Sequence, residues 1–437
     1  MSGTSTTHTN QSSSDAGAPD VIVIGAGPSG AIASALLVKK GYKVLVLERE
    51  TFPRFSIGES LLPHCMQFVE EAGMLDAVKK GDFQFKNGAA FIYKDRYTEF
   101  DFTQKFSDGP GTTFQVQRGK FDKILADSAA EQGADIRYQH TITAVDVAGS
   151  RPRVTYTDNN GRVHTIETKF LLDASGFGRV LPRLLDLELP SNFPVRQAVF
   201  THIEDNIKSD WFDRNKILVS VHPEHRDVWF WTIPFSKGVC SLGVVAEPSF
   251  LARYPEDLKT KLKALVNEVP RLSKLLADAE YSTPLLAKGG YNVDARQIIG
   301  YSAKVKSLYG NNFALLGNAG EFLDPVFSSG VTIAMRSASM ASKLVDKQLG
   351  GEHVDWESEY AKPLIKGVDT FRTFVTGWYD EKFQNIIFHD QQLDRVKSMI
   401  ASVLAGYAWD TKNPYVEDSN RRFNVLAEIC KPDSVFR

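Results

Sequence analysis

The sequence predicts an α/β fold in which a parallel-sheet domain is joined to an antiparallel β-sheet domain and a helical C-terminal region. Three observations carry this reading. Val21-Ile22-Val23-Ile24 is a short apolar β-branched run of the kind buried on both faces of a parallel sheet, and it leads through a glycine-rich turn and an Ala-rich helical stretch into a second apolar run. The segment from Gln197 to Ala246 patterns as several antiparallel strands. The chain beyond 350 patterns mostly as helix and is rich in aromatics: Phe371, Phe374, Trp378, Tyr379, Phe383 and Phe388. With 437 residues, 43% hydrophobic and 24% charged, the chain can form two or three domains around a large core, which excludes a disordered or fibrous protein.

Met1 to Ala18 has neither a basic n-region nor an apolar h-region, so it is expected to be a floppy tail rather than a signal peptide or an anchor. The first strand is followed by a helix from Ala31 to Lys40 that closes at Gly41, and Val44-Leu45-Val46-Leu47 forms the second strand of a βαβ unit. Helical periodicity then runs from about Met66 to Lys80, Ala89 to Phe102 alternates as a strand pair, and helix returns near Lys120 to Glu131. Strands follow through Ile136 to Thr168 and at Phe170-Leu171-Leu172, with a helix near Leu258 to Val269. A last buried strand, Phe313 to Leu316, precedes a Gly-punctuated turn and a helix from about Gly330 to Leu349.

This order divides the chain into a tail (1–18), a nucleotide-binding domain assembled from 19–85, 115–180 and 296–349, a β-sheet substrate domain from 86–114 and 181–295, and a helical region over 350–437. No stretch approaches the roughly 18 apolar residues a membrane helix needs. Lys plus Arg is 51 against 53 Asp plus Glu, and a net charge of -2 gives no general field for nucleic acid or anionic membrane. Cys65, Cys240 and Cys430 lie far apart with no CxxC, as suits a reducing cytoplasm. His222 and His225 stand three apart in a charged, Pro-containing turn without a third ligand at metal spacing, so they are expected at the surface and no metal is predicted.

Gly25, Gly27 and Gly30 form G-x-G-x-x-G directly after a strand and at a helix start, with Ser29 in the same turn. Such glycines permit the tight turn, the close approach of a pyrophosphate to backbone amides and the helix-strand contact. Glu48 closes the second strand about 20 residues further on, where a carboxylate can accept hydrogen bonds from a ribose diol. The unit is a Rossmann-like dinucleotide site, and by itself it does not choose between FAD and NAD.

Two later segments bear on that choice. Leu171 to Gly178 reads L-L-D-A-S-G-F-G and Leu315 to Asp324 reads L-L-G-N-A-G-E-F-L-D. Both resemble the later flavin motifs of the p-hydroxybenzoate hydroxylase-type flavoproteins. The resemblance implies FAD and an FAD-binding domain, and it sets Arg49, Ser56, Arg118, Asp173, Gly317 and Asn318 beside the cofactor. Without a cofactor, Arg118 would read as a helix-start arginine in solvent. The family usually has Asp where this chain has Asn318; an amide still bonds a ribitol hydroxyl but loses the charge-assisted bond, which predicts weaker FAD retention.

Trp229-Phe230-Trp231-Thr232-Ile233-Pro234 spells W-x-W-x-I-P, with the two Trp on one face of a strand as a bulky wall. Phe322 to Gly330 reads F-L-D-P-V-F-S-S-G, and Phe52 to Ser60 reads F-P-R-F-S-I-G-E-S. On these motifs the chain resembles the flavin-dependent halogenases. Lys86, in Phe85-Lys86-Asn87-Gly88-Ala89, lines up with that family's catalytic lysine.

The resemblance implies that reduced FAD and oxygen convert chloride or bromide to hypohalous acid, with backbone amides near Ser329 and Gly330 holding the halide. Trp229, Trp231, Pro325, Phe327 and Ser328 are expected to line the pocket or tunnel through which Lys86 captures the oxidant, as a haloamine or by hydrogen bonding. Burial would lower the lysine's pKa enough to supply a free amine. Phe327 stands where tryptophan-type members have a glutamate, which points to an electron-rich phenolic or pyrrolic acceptor, free or attached to an acyl carrier protein. Family members take reduced flavin from a separate flavin reductase, which is the implied partner. Two other readings share the fold: a flavin monooxygenase or geranylgeranyl-reductase-like enzyme, and a non-enzymatic flavoprotein. The W-x-W-x-I-P run and Lys86 speak against both.

Overall fold

Val21–Ile24 lies inside a six-stranded sheet with every side chain buried. The computed structural model describes residues 17–191, 193–390 and 393–431, so nearly all of the expected tail lies outside the described residues. The sheet runs in the order Tyr309–Gly310, Phe313–Leu315, Phe170–Asp173, Val21–Ile24, Val44–Glu48 and Asp135–Tyr138, parallel except at its first pair. Strands covered on both faces read as continuous Val, Ile and Leu because neither face meets water.

Helix Pro28–Lys39 packs against helices Arg118–Glu131 and Gly330–Leu349. Its buried Ala31, Ala33 and Ala35 share one core cluster with Ala338 and Ala341, and residues this small permit close helix approach. The helix expected over Met66 to Lys80 is two helices, Cys65–Glu71 and Leu75–Lys79, divided by a turn at Gly73.

A seven-stranded sheet runs in the order Arg296–Ile299, Gln197–Glu204, Val239–Ala246, Trp229–Pro234, Lys216–Val221, Gly88–Tyr93 and Arg96–Asp101. Side-chain alternation sorts its residues. Trp229, Trp231 and Ile233 face a large aromatic cluster, while Phe230 faces the opposite cluster with Leu262 and Leu265. Gly243 opposes Trp231 across the ladder, and a Cβ there would sit 2.2 Å from the indole, so the glycine makes room for the ring. The C-terminal helices Lys362–Tyr379, Lys382–Ile387 and Asp394–Leu404 cover this face with Phe371, Phe374, Trp378 and Phe383. Gln84–Lys86 and Thr113–Gln115 form a separate two-stranded sheet that sets Lys86 opposite Thr113.

His222 departs from its expected place. It is 3% exposed, its Nε2 is 3.0 Å from Glu268 Oε2, and its Nδ1 accepts the backbone N–H groups of Glu224 and His225. It organises the turn from inside, whereas His225 is exposed as expected. Among the described residues no helix is long and apolar enough to cross a membrane.

Candidate functional site: a dinucleotide cleft with a buried lysine beside it

A cavity of about 570 Å³ runs from the C-terminal ends of Val21–Ile24 and Val44–Glu48 to the Trp face of the larger sheet. Gly25, Gly27, Ser29, Glu48, Arg49, Ser56, Arg118 and Asn318 line it, joined by Trp229, Trp231, Pro325, Ser328 and Gly330. The position is the one open α/β sheets give their ligands, beyond the carboxyl ends of the strands.

The glycine loop is built for close approach. A Cβ on Gly30 would stand 2.0 Å from the Gly25 carbonyl oxygen, so only glycine lets the helix start there. Glu48 secures the loop: its Oε2 accepts from the Ala26 N–H at 2.8 Å and its Oε1 from the Glu50 N–H at 2.9 Å. Arg118 is buried rather than solvated, and it grips Asp122 with Nε at 2.8 Å and Nη2 at 3.0 Å. Arg54 adds a third contact to Asp122 at 3.1 Å, so two guanidinium groups share one carboxylate at the cavity wall.

Asp173 and Gly317 do not line the cavity. Asp173 accepts the N–H groups of Ser175 at 2.9 Å and Leu181 at 2.7 Å, shaping the loop whose Ser175, Gly176 and Phe177 form the wall. Burial raises its pKa. Gly317 donates its N–H to Ser337 Oγ at 2.9 Å, which sets Asn318 in place. Asn318 Oδ1 is buried without a hydrogen-bond partner and lies 3.6 Å from where a Gly330 Cβ would be. A buried acceptor without a donor costs free energy, and a ribitol hydroxyl in the cavity would supply one. The side-chain-free approach at Gly27, the carboxylate at Glu48 and the free acceptor at Asn318 fit FAD.

The turn before helix Gly330–Leu349 is held by Asp324. Its Oδ1 accepts the Val326 N–H at 3.0 Å, and its Oδ2 accepts Tyr301 at 3.1 Å and Tyr379 at 2.9 Å. Trp229 Nε1 donates to the same Tyr379 hydroxyl at 3.1 Å, so the W-x-W strand, the turn and a C-terminal helix share one polar knot. Ser329 is buried and off the cavity. Phe327 is also off it, with its ring edge-on to Trp378 and Phe383 at 5.8 and 5.2 Å.

Lys86 is fully buried and does not line the cavity. Its Nζ donates to Ser60 Oγ and to the Leu61 carbonyl, both at 2.7 Å, and lies 5.5 Å from the centre of the Phe102 ring. Among the described residues no carboxylate offsets its charge there: burial pulls its pKa down to about 7 from 10.5, countered by an electrostatic contribution from Cys65. An amine free in substantial part at neutral pH has the lone pair that a nucleophile or a base needs. Glu59 and Ser60 belong to the G-E-S motif, whose sequence alone gives neither of them a role. Their roles depend on neighbours distant in sequence, Lys86 and His202.

Cleft, glycine loop and the Asn318 acceptor together define an FAD-dependent oxidoreductase. The FAD binding domain family model matches residues 18–276, and the chain belongs to that family. Within it the chain resembles flavin-dependent halogenases. It is 28% identical over 441 residues to the 1H-pyrrole-2-carbonyl-(peptidyl-carrier protein) chlorinase of Pseudomonas fluorescens, covering 94% of each chain. It is 27% identical over 346 residues to the corresponding brominase of Pseudoalteromonas luteoviolacea, covering 78% of this chain and 80% of that one. Among solved structures, a flavoprotein/dehydrogenase from Cytophaga hutchinsonii superposes with a TM-score of 0.89 at 43% identity, covering 95% of this chain and 99% of that one. The myxobacterial chondrochloren halogenase CndH superposes with a TM-score of 0.71 at 26% identity, covering 94% and 96%.

Proposed function

We propose that the protein halogenates an electron-rich aromatic ring, using Lys86 to direct hypohalous acid. The observation that carries this reading is the Lys86 amine, buried beside the cleft with a pKa near 7 and no carboxylate partner among the described residues. Reduced FAD held by Gly25, Gly27, Glu48 and Asn318 would activate oxygen for the two-electron oxidation of chloride or bromide to hypohalous acid.

The rest is the work of this chain. The first amides of helix Gly330–Leu349 lack partners within the helix and stand at its positive end, where a halide gains most. Ile217, Trp229, Trp231 and Ile233 form an apolar wall on one side of the cavity that confines the oxidant. Lys86 then either attacks the halogen, forming N–X as X–O breaks and water leaves, or polarises the acid by hydrogen bonding. Asp173, Gly317, Ser329 and Phe327 act from behind the cavity, each fixing a segment that lines it.

A phenolic or pyrrolic acceptor, free or attached to a carrier protein, agrees with Phe327 replacing a glutamate and with the carrier-bound pyrrole named for two relatives. A separate flavin reductase is the proposed partner. The buried free thiols of Cys65, Cys240 and Cys430 suit a reducing cytoplasm. The likeness to the Cytophaga hutchinsonii flavoprotein/dehydrogenase favours a second reading, flavin oxidation chemistry without halide.

Mass spectrometry of reactions with FAD, a flavin reductase, NADH and either halide, over a panel of phenols, pyrroles and indoles, separates these. Halogen isotope doublets on phenols or pyrroles support the proposal. Hydroxylated product supports the second reading, and turnover of free tryptophan alone contradicts the acceptor class.

A further inference from the structure

Lys86 is sealed from the cavity, yet the mechanism requires it to shed a proton and meet an oxidant formed there. Ser60 is the residue that touches both: it lines the cavity, and its Oγ is 2.7 Å from Lys86 Nζ. The other acceptor for Nζ, the Leu61 carbonyl, has no proton of its own to pass on.

Ser60 is held there with unusual firmness. On one side the Glu59 carbonyl accepts the Val116 N–H at 2.7 Å, and on the other the Leu61 N–H donates to Phe114 at 3.2 Å. Glu59, 2% exposed, has its Oε1 2.7 Å from His202 Nε2. The Asn292 N–H donates to His202 Nδ1 at 2.8 Å, which leaves the ring proton on Nε2 to be donated to Glu59. This carboxylate–imidazole pair ties the segment to strand Gln197–Glu204.

We propose that Ser60 is a catalytic residue that carries the Lys86 proton into the cavity, with Glu59 and His202 as the residues that position it. The inference rests on the halogenase reading above. In the step, the Lys86 ammonium passes a proton to Ser60 Oγ while the Ser60 proton moves to solvent in the cavity, leaving the hydroxyl unchanged and the amine neutral. The Lys86 side chain then turns from Ser60 and Leu61 into the cavity, its amine nitrogen takes the halogen of the hypohalous acid, the halogen–oxygen bond breaks, and an amine proton joins the departing hydroxide as water. Cys65 is the titratable side chain acting on Lys86 from the adjoining helix; burial keeps its thiol protonated, and its Sγ is 3.1 Å from Thr332 Oγ1.

The test compares wild type, Ser60→Ala and Ser60→Thr in the full chain. One readout is the titration of Lys86 followed by NMR of 13Cε-labelled lysine, assigned by its loss in Lys86→Met. The other is the halogenation rate against pH, with FAD binding as the folding control. Removal of an acceptor disfavours the ammonium, so Ser60→Ala is expected to titrate at lower pH than wild type and to halogenate at least about tenfold more slowly at every pH. Ser60→Thr, which keeps the hydroxyl, is expected to restore both. A Ser60→Ala protein with wild-type titration and rate, or a Ser60→Thr protein no better than Ser60→Ala, overturns the proposal. Absence of halogenation in wild type would overturn the halogenase reading instead, and the NMR titration would still show whether the Ser60 hydroxyl governs Lys86.

Discussion

The Tyr379 hydroxyl donates to Asp324 Oδ2 at 2.9 Å and accepts from Trp229 Nε1 at 3.1 Å, so a C-terminal helix grips both the turn before helix Gly330–Leu349 and the Trp wall. Tyr379→Phe breaks both bonds at once and leaves buried groups short of a partner. It is expected to cost about 1–3 kcal/mol of stability, measured by thermal or urea unfolding. By loosening the turn that Asp324 braces, it should raise the KM for halide more than it lowers kcat.

Lys86→Met is expected to abolish halogenation while retaining FAD. The sign of its stability effect follows from linkage. The folded Lys86 titrates at about 7, against 10.5 for an ordinary lysine. Between those values the unfolded chain binds a proton that the folded one does not, so this group makes wild-type stability rise with pH across the window. Below pH 7 the full cost of burying the ammonium is present. Lys86→Met should therefore be the more stable protein at pH 6, by on the order of a few kcal/mol, with the gain shrinking toward pH 10.5. Urea unfolding at several pH values reads this directly.

Asn318→Asp exchanges the amide for a carboxylate and would make the bond to a ribitol hydroxyl charge-assisted. Tighter FAD binding, by roughly tenfold, is the expected result in a flavin fluorescence titration. Asn318→Ala, which removes the acceptor, should weaken binding.

Glu59→Leu strands the His202 Nε2–H in a buried site, whereas Glu59→Gln keeps an acceptor for it. Unfolding midpoints should show a loss of about 1–3 kcal/mol for Glu59→Leu and a smaller loss for Glu59→Gln.

The βαβ unit was legible because local chemistry fixes it: apolar β-branched strands, glycines at a helix start and Glu48 at a strand end are all read within one stretch of chain. The Trp pair was legible for the same reason, since period-two alternation puts both indoles on one face. The break at Gly73 and the burial of His222 were not, because each depends on tertiary partners, Glu268 in the second case. The site was legible as a set of segments rather than as contacts. Lys86 could be placed by its motif, but its sealing beside Ser60 and Leu61 joins residues about 25 positions apart, a separation that no helical or strand period reports. Asp173 and Phe327 illustrate the converse: both lie within motifs, yet both brace the cavity from outside it.

The most direct test of the central claim is mass spectrometry of the halogenation reaction with wild type and Lys86→Ala side by side, each first shown to bind FAD. Wild type is expected to give a halogen isotope doublet on the aromatic product, and Lys86→Ala none at equal FAD occupancy. Equal yields of halogenated product from both proteins would contradict the claim.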